Sequence, residues 1–314
     1  MSSADIYDVI IVGGGPAGLT AGLYCKRAAL NAVLFEKGLT GGQIAISKEV
    51  ENYPGVEGVT GFELAEKLVN HTRSFGLEIV QQEVIAVSVG DGLHSARLAD
   101  GTLVRAIALI LAAGGTMRKL GISGEAEYLG AGVSYCATCD GFFFRDKTVV
   151  VIGGGDTAVE EAVYLKKLAK TVHLIHRGDA LRAGNILQSR LMAEPGIKII
   201  WNTVVTEIRG NGTTVTGVST KNIVTGEKGE LPVDGVFVLI GYSPNNQLIP
   251  PEVRMDEQGF VITDEKCETS VPGIFAVGDL RRKFANQIVI ACADGCTAAL
   301  AAAHYVEARK SDYP

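Results

Sequence analysis

One pattern occurs twice in this chain and restricts its fold more than any other feature. Val9-Ile10-Ile11-Val12 leads into Gly13-Gly14-Gly15-Pro16-Ala17-Gly18, and Val149-Val150-Val151-Ile152 leads into Gly153-Gly154-Gly155-Asp156-Thr157-Ala158. Each apolar run reads as a buried strand, and each glycine turn opens a helical stretch, over 19–29 in the first copy and as far as residue 168 in the second. Without a gap, Tyr24 aligns with Tyr164, Lys26 with Lys166 and Leu34 with Leu174. One copy alone is equally well a tight turn in any α/β domain. Two copies, each set between strand and helix, predict an α/β chain with two Rossmann-like dinucleotide-binding domains.

The glycines stand where a dinucleotide needs them. Gly13 and Gly153 permit the tight turn, Gly15 and Gly155 let backbone approach a pyrophosphate, and Gly18 and Ala158 are small enough for close helix-strand contact. The N-termini of the helices that follow Pro16-Ala17-Gly18 and Asp156-Thr157-Ala158 aim free N–H groups and a positive dipole end at the phosphates. The second strand of each copy then separates the ligands. Val33-Leu34-Phe35 ends in Glu36, followed by Lys37, and a carboxylate there suits the two ribose hydroxyls of FAD or NAD; the bland alternative is a solvated strand end. In the second copy His176 and Arg177 take that place, with Arg182 beyond, cations suited to an extra 2′-phosphate on a nicotinamide dinucleotide.

At 314 residues the chain has room for two domains, each with its own core. It is 47% apolar and has no long single-sign charge run, so it reads as folded throughout. A net charge of −6, with no basic patch interleaved with aromatics, gives no case for a nucleic-acid partner. Its 39 glycines, more than turns alone require, fit backbone held close to phosphates in several places. Residues 1–7 are acidic and lack the positive region of a secretory signal, and no stretch reads as long and apolar enough to span a bilayer. These features predict a cytoplasmic protein with no membrane partner. Thiols stay reduced in that compartment, so the six cysteines are not expected to form a structural disulfide framework.

Between the two glycine turns lies Ser134-Tyr135-Cys136-Ala137-Thr138-Cys139-Asp140-Gly141. A C-x-x-C can be half of a zinc site, but the sequence offers neither a second pair nor histidines at ligand spacing, so no metal is expected. The redox reading is the stronger one. Two thiols at this spacing can close a small exchangeable disulfide, and Asp140 beside them supplies a carboxyl group for proton transfer, or else a helix cap.

With this pair in place, the chain resembles the low-molecular-weight, bacterial-type thioredoxin reductases nearly end to end. The resemblance rests on the two glycine turns, Gly41-Gly42-Gln43, Glu51-Asn52-Tyr53-Pro54-Gly55, Cys136-Ala137-Thr138-Cys139-Asp140, Val159-Glu160-Glu161 and Gly273-Ile274-Phe275-Ala276-Val277-Gly278-Asp279. It implies the three-layer ββα form of the fold. A discontinuous FAD domain of residues 1–116 and 245–314 would carry the nicotinamide domain, 117–244, as an insertion. Gln43 and Asn52 would then lie by the flavin, Asp279 would bond its ribityl chain, and Gln287-Ile288 would sit against the ring. Gly42, Val84, Ala113, Gly114, Gly278 and Asn286 complete the implied FAD contacts. The resemblance further implies that Cys139 faces the flavin, Cys136 attacks the disulfide of a thioredoxin, and Asp140 protonates the leaving thiolate. The inserted domain is expected to swing about connections near Thr116 and Tyr242, and the protein to be a homodimer.

Three departures from the family pattern stand out. Its 2′-phosphate clamp usually reads His-Arg-Arg, but here it is His176-Arg177-Gly178, so one phosphate ligand is missing and use of NADH as well as NADPH is expected. Asn286 stands where the family often has Arg, and Ala112-Ala113-Gly114 lacks the usual hydroxyl. Lys119, Arg281, Arg282 and Lys283 read either as residues that bear on partner choice or, each taken singly and more simply, as solvated surface charge, and Cys25, Cys267, Cys292 and Cys296 as packing. A flavin reductase serving a peroxiredoxin-like or glutaredoxin-like acceptor would share every one of these motifs, and a nonenzymatic dinucleotide sensor would share all but the cysteine pair.

Overall fold

The computed structural model describes residues 6–47 and 50–312; residues 1–5, where the reading of the N-terminus begins, lie outside the described residues. Two compact units divide the chain, one built from Met1–Thr116 and Ser243–Pro314, the other from Met117–Tyr242. Gly115–Met117 and Tyr242–Pro244, where the chain crosses between units, form a two-stranded sheet.

In the first unit, strands Glu78–Gln81, Ala32–Glu36, Ile6–Val12 and Leu103–Leu111 lie side by side and parallel. The far edge of Leu103–Leu111 is shared. Its first half pairs antiparallel with His94–Leu98, which in turn pairs with Val84–Ser88, while its last residues pair in parallel with Ile274–Ala276. The apolar run at 9–12 is continuous because both faces are covered. Val9 and Ile11 face the helical side, and Ile10 and Val12 face the antiparallel meander. Full burial of each of these side chains stabilises the unit by about 1.5–3 kcal/mol.

Two helices on the helical side position the site. Helix Pro16–Arg27 begins with proline at its first position and ends on Lys26 and Arg27, in keeping with its dipole. Helix Gly61–Ser74 is started by a capping box in which the Thr60 hydroxyl accepts from Glu63 N–H and the Glu63 carboxylate accepts from Thr60 N–H. The C-terminal helix, Ile288–Glu307, packs along Pro16–Arg27 with its small residues Ala291, Gly295, Ala298 and Ala302 inward. The backbone oxygen of Ala17 leaves no room for a Cβ at Gly295, which would lie 2.1 Å from it. This helix corrects the sequence reading of membrane spans: at 20 residues and a mean hydropathy of 1.4, it is long and apolar enough to cross a bilayer by length and composition. Its alanines lack the bulk that marks a core helix in a sequence, and its apolarity serves close packing on the first helix.

The second unit repeats the plan. Strands Ile197–Ile200, Thr171–Ile175, Thr148–Gly153, Gly235–Leu239 and Val133–Ser134 form one parallel sheet. Val149 and Val151 face helices Asp156–Lys166 and Asn185–Ala193, while Val150 and Ile152 face the antiparallel meander Thr203–Gly210, Val215–Asn222, Lys228–Pro232. The repeat in sequence is thus a repeat in three-layer architecture.

Candidate active site: two dinucleotide turns and a redox disulfide

Four segments of the first unit meet at the start of helix Pro16–Arg27. Gly13 has φ +109, and a Cβ there would lie 2.4 Å from the Ala112 oxygen; one on Gly18 would lie 1.9 Å from the Gly13 oxygen. Gly42, at φ +60, touches the Gly15 Cα, and Gly41 N–H donates to the Gly14 oxygen at 2.8 Å. Gly278, at φ +66, sits against the Ala17 side chain. At Gly13, Gly18 and Gly42 the nearest atoms are backbone, so side chains are excluded there. Gly15 itself faces open space and caps the helix with no side-chain hydrogen bond, which leaves the first-turn N–H groups available to an anion.

The residues expected around that turn fall into distinct settings. Glu36, half-buried at its strand end, accepts from Gly14 N–H at 2.6 Å and Gly38 N–H at 2.7 Å, which fixes the carboxylate beside the turn. Lys37 is exposed and pairs with Glu83 at 3.3 Å. Gln43 donates through Nε2 to the Gly115 oxygen, and Asn52 donates to Gln287 Oε1 at 3.2 Å. Gln287 precedes the C-terminal helix, with Ile288 packed on the small cluster of Ile44, Ala45 and Leu64. Asn245 secures the loop that holds Ala113 and Gly114, donating through Nδ2 to the Ala113 oxygen at 2.8 Å and through N–H to the Gly114 oxygen at 3.0 Å. Asn286 is exposed, and Val84 is buried in the meander.

A buried ionic network underlies the Gly278-Asp279 turn, and sequence reasoning missed it. Asp294 accepts from Arg281 Nη1 at 2.8 Å, from Gly278 N–H at 3.1 Å and from Lys283 Nζ at 3.5 Å; Lys283 also pairs with Asp279 at 3.0 Å. Side-chain exposure is 8% for Asp294, 6% for Lys283 and 17% for Arg281. Arg281 and Lys283 are therefore not solvated surface charge. A lone aspartate inside an otherwise apolar helix was the signal, because a buried carboxylate requires cations.

In the second unit, Gly153 and Ala158 meet closely, and a Cβ on Gly153 would lie 2.4 Å from the Leu239 oxygen. Gly155 faces open space and caps its helix without a side-chain bond, as Gly15 does. Asp156 accepts from Gly184 N–H at 2.8 Å, and Arg182 N–H donates to the Gly154 oxygen at 2.8 Å, so the 181–184 loop folds over the turn. Thr157, Arg177 and Arg182 are exposed. His176 is different: it is 7% exposed, with Nδ1 on the Gly153 oxygen at 3.1 Å and its ring edge-on to Trp201. Its side chain props the glycine turn from beneath.

Cys136 and Cys139 are joined as a disulfide, with Cα atoms 5.3 Å apart, on a single turn, Ala137–Asp140. Cys136 caps that turn: its backbone is extended, and Cys139 N–H points at its sulfur at 3.2 Å. An N–H aimed at Sγ favours a thiolate when the bond is reduced. Ser134 Oγ lies 3.0 Å from Cys136 N, 3.1 Å from Cys136 O and 2.5 Å from Asp140 Oδ2. The hydroxyl has one proton. If it serves the Cys136 carbonyl, Asp140 must carry its own proton to complete the set. Burial pushes the Asp140 carboxyl above the ordinary carboxylate range, against the opposing pull of the Ser134 hydroxyl. Below the turn, the Glu161 carboxylate accepts from Ala137 N–H at 2.6 Å.

Two of the other thiols are held protonated by burial. Burial pushes Cys25 up to about 12 and Cys267 to about 11. Cys292 lies against Tyr53 OH and the Pro16 oxygen in the packing of the first turn.

Comparison with known proteins places this geometry. The profile of the pyridine nucleotide-disulphide oxidoreductases matches residues 7–295. Thioredoxin reductase of Listeria innocua is 44% identical over 309 residues, 98% of this chain and 97% of its own, and that of Bacillus subtilis is 45% identical over 307 residues, again 98% and 97%. The crystal structure of thioredoxin reductase from Streptococcus pyogenes superposes with a TM-score of 0.93 at 41% identity, covering 96% of this chain and 99% of that one. The thioredoxin reductase from Giardia duodenalis gives 0.92 at 36% identity, with the same coverage. Two glycine turns on repeated Rossmann-like units, a disulfide between them in sequence, and near full-length identity above 40% lead to one conclusion: this chain belongs to the pyridine nucleotide-disulphide oxidoreductase family.

Proposed function

We propose that this protein is a thioredoxin reductase, which carries two electrons at a time from a reduced nicotinamide dinucleotide, by way of FAD, to the Cys136–Cys139 disulfide and on to thioredoxin. The observation that carries the reading is the Cys136–Cys139 disulfide next to Asp140, whose carboxyl is raised above the ordinary carboxylate range by burial. Chains named thioredoxin reductase that match this one over nearly its whole length support the acceptor.

The first unit fits FAD. Its cradle of Gly13, Gly15, Pro16, Ala17 and Gly18 admits only backbone beside uncapped N–H groups, as a pyrophosphate requires. Glu36 and Lys37 would take the ribose end. Gly278 and Asp279 would hold the ribityl chain, and Gly42, Gln43, Asn52, Val84, Ala113, Gly114, Asn286, Gln287 and Ile288 would line the remainder. When bound, FAD supplies a carrier that takes hydride from the nicotinamide and gives two electrons to sulfur. The nicotinamide dinucleotide would lie on Gly153, Gly155, Asp156, Thr157 and Ala158, with Arg177 and Arg182 as phosphate ligands and His176 as the support beneath the turn.

Once the disulfide is reduced, the Cys136 thiolate attacks the disulfide of the acceptor. A mixed disulfide forms, and the departing acceptor thiolate takes the proton of Asp140. Cys139 then attacks the Cys136 sulfur, restores the internal disulfide and releases the second acceptor thiol, so the two electrons leave with the acceptor. The reading also takes the protein as a cytoplasmic homodimer, which sedimentation of the purified protein checks. Purified protein with NADPH or NADH and a panel of oxidised thioredoxins tests the function directly: reduction of at least one is expected, and reduction of none overturns it.

A further inference from the structure

The residue before Cys136 is held by a buried carboxyl that takes no part in the exchange chemistry. Val133–Ser134, which leads into the cysteines, is a two-residue strand at the edge of its sheet, and the turn Ala137–Asp140 has four residues, too few to hold itself. Ser134 bonds Asp140, whereas Tyr135, the next residue, donates its hydroxyl to Glu125 Oε1 at 3.0 Å. Burial, and after it Glu125, raises the Tyr135 phenol above its ordinary range, so the hydroxyl stays a donor. Glu125 is 3% exposed, and the N–H groups of Leu120 and Gly121 donate to its two oxygens at 2.8 and 2.7 Å. The loop that carries it is clasped to the meander: Ile208 N–H donates to the Ser123 oxygen at 2.9 Å, and the Ile208 oxygen leaves no room for a Cβ at Gly124. Glu125 thus stands on fixed backbone and reaches the residue immediately before the redox pair.

We propose that Glu125 is a positioning residue for the redox cysteines: through the Tyr135 hydroxyl it fixes the strand end that carries Cys136, and so keeps the two sulfurs in register when their bond is open. The inference rests on the redox role proposed above for Cys136–Cys139. While the disulfide is closed, the covalent link orders the turn by itself. Once it is reduced that link is gone, and the strand end keeps its place through noncovalent bonds such as that from Tyr135 to Glu125. A brace that orders the open form favours reclosure, because less chain freedom is lost when the sulfurs join. Without the brace the closed form stays ordered and the open form spreads, so the disulfide becomes easier to reduce.

Tyr135→Phe is the discriminating variant, since it deletes the hydroxyl and leaves Glu125 its bonds to Leu120 and Gly121. The purified FAD holoenzyme is equilibrated anaerobically in mixtures of reduced and oxidised dithiothreitol and quenched by alkylation, and the thiols at Cys136 and Cys139 are counted by mass. In that exchange dithiothreitol gives two electrons and two protons to the Cys136–Cys139 bond and closes its own disulfide. The equilibrium constant for reduction is expected to rise about twofold to tenfold in Tyr135→Phe, the range set by one hydrogen bond. A merely structural Tyr135 lowers stability and leaves this constant in place, so an unchanged or smaller constant overturns the proposal. Amide exchange of a peptide spanning residues 134–141 gives a second reading. Tyr135→Phe should speed it in the reduced protein and not in the oxidised one; equal rates in variant and parent, or equal acceleration in both redox states, overturns the proposal. If the constant rises and the parent reduces no thioredoxin, the brace stands and the functional reading fails.

Discussion

Replacing Asp294 by alanine should destabilise the first unit and leave the second untouched. Asp294 is the common partner of Arg281, Lys283 and the Gly278 N–H, and the two cations among its partners are themselves only 17% and 6% exposed. Breaking a buried pair costs about 3–5 kcal/mol, because the stranded charge has no water to return to. Here Lys283 keeps Asp279 at 3.0 Å, which offsets part of the loss, while the Gly278 N–H loses its acceptor, which adds about 1–3 kcal/mol. About 4 kcal/mol is the net expectation, since the terms share one network and do not simply add. At a urea dependence of about 2 kcal/mol per molar, the transition moves down by about 2 M. The chain has a single tryptophan, Trp201, and it packs on the core of the second unit. In urea unfolding at fixed saturating FAD, far-ultraviolet circular dichroism reports both units and Trp201 fluorescence the second alone, so the first is read by difference. The circular-dichroism transition should move and the fluorescence transition should not. Equal movement of both, or of neither, would refute the argument from the buried network.

Two further expectations concern the second unit. Because the Glu161 carboxyl is raised from 4.5 to about 7 in the fold, the folded unit keeps a proton that the unfolded chain releases, so this group's contribution to stability is full below pH 4.5 and is lost as pH rises to about 7. The decline is about 3 kcal/mol over that window, read from Trp201 unfolding at several pH values, and Glu161→Gln should flatten it. With the 2′-phosphate held as proposed by Arg177 and Arg182, a clamp without a cation at Gly178 should favour NADPH over NADH in kcat/KM by no more than about tenfold, and Gly178→Arg should raise that preference by about tenfold or more. A Cβ at 178 would stand 3.1 Å from His176 Nε2, so the variant must shift that ring slightly; a parent already selective by a thousandfold contradicts the expectation.

Some of this molecule was readable before its structure. The continuous apolar runs at 9–12 and 149–152 required strands covered on both faces, and the glycine turns after them required backbone contact that only helix and strand together create. The cysteine spacing foretold a disulfide. What stayed hidden depends on contacts between residues distant in the chain. His176 reads as a phosphate ligand by position, yet its ring is turned under Gly153. Arg281 and Lys283 read as surface charge because their partner lies on a later helix, and Glu161 reads as one more acidic residue on a helix face until the cysteine turn is laid on top of it. The Ile288–Glu307 helix, long and apolar enough to cross a bilayer by length and composition, does not stand out in the sequence, since alanine, not leucine, supplies its apolarity.

The central claim is that electrons arriving from a nicotinamide fill two carriers in series, a flavin and the Cys136–Cys139 bond. Anaerobic titration of the purified yellow protein with NADPH, followed at the flavin absorbance and by thiol count, measures this. About two equivalents should be consumed, with two new thiols, and Cys139→Ser should consume about one and show no new thiol. If the parent is saturated by one equivalent with its disulfide intact, the relay described here is absent.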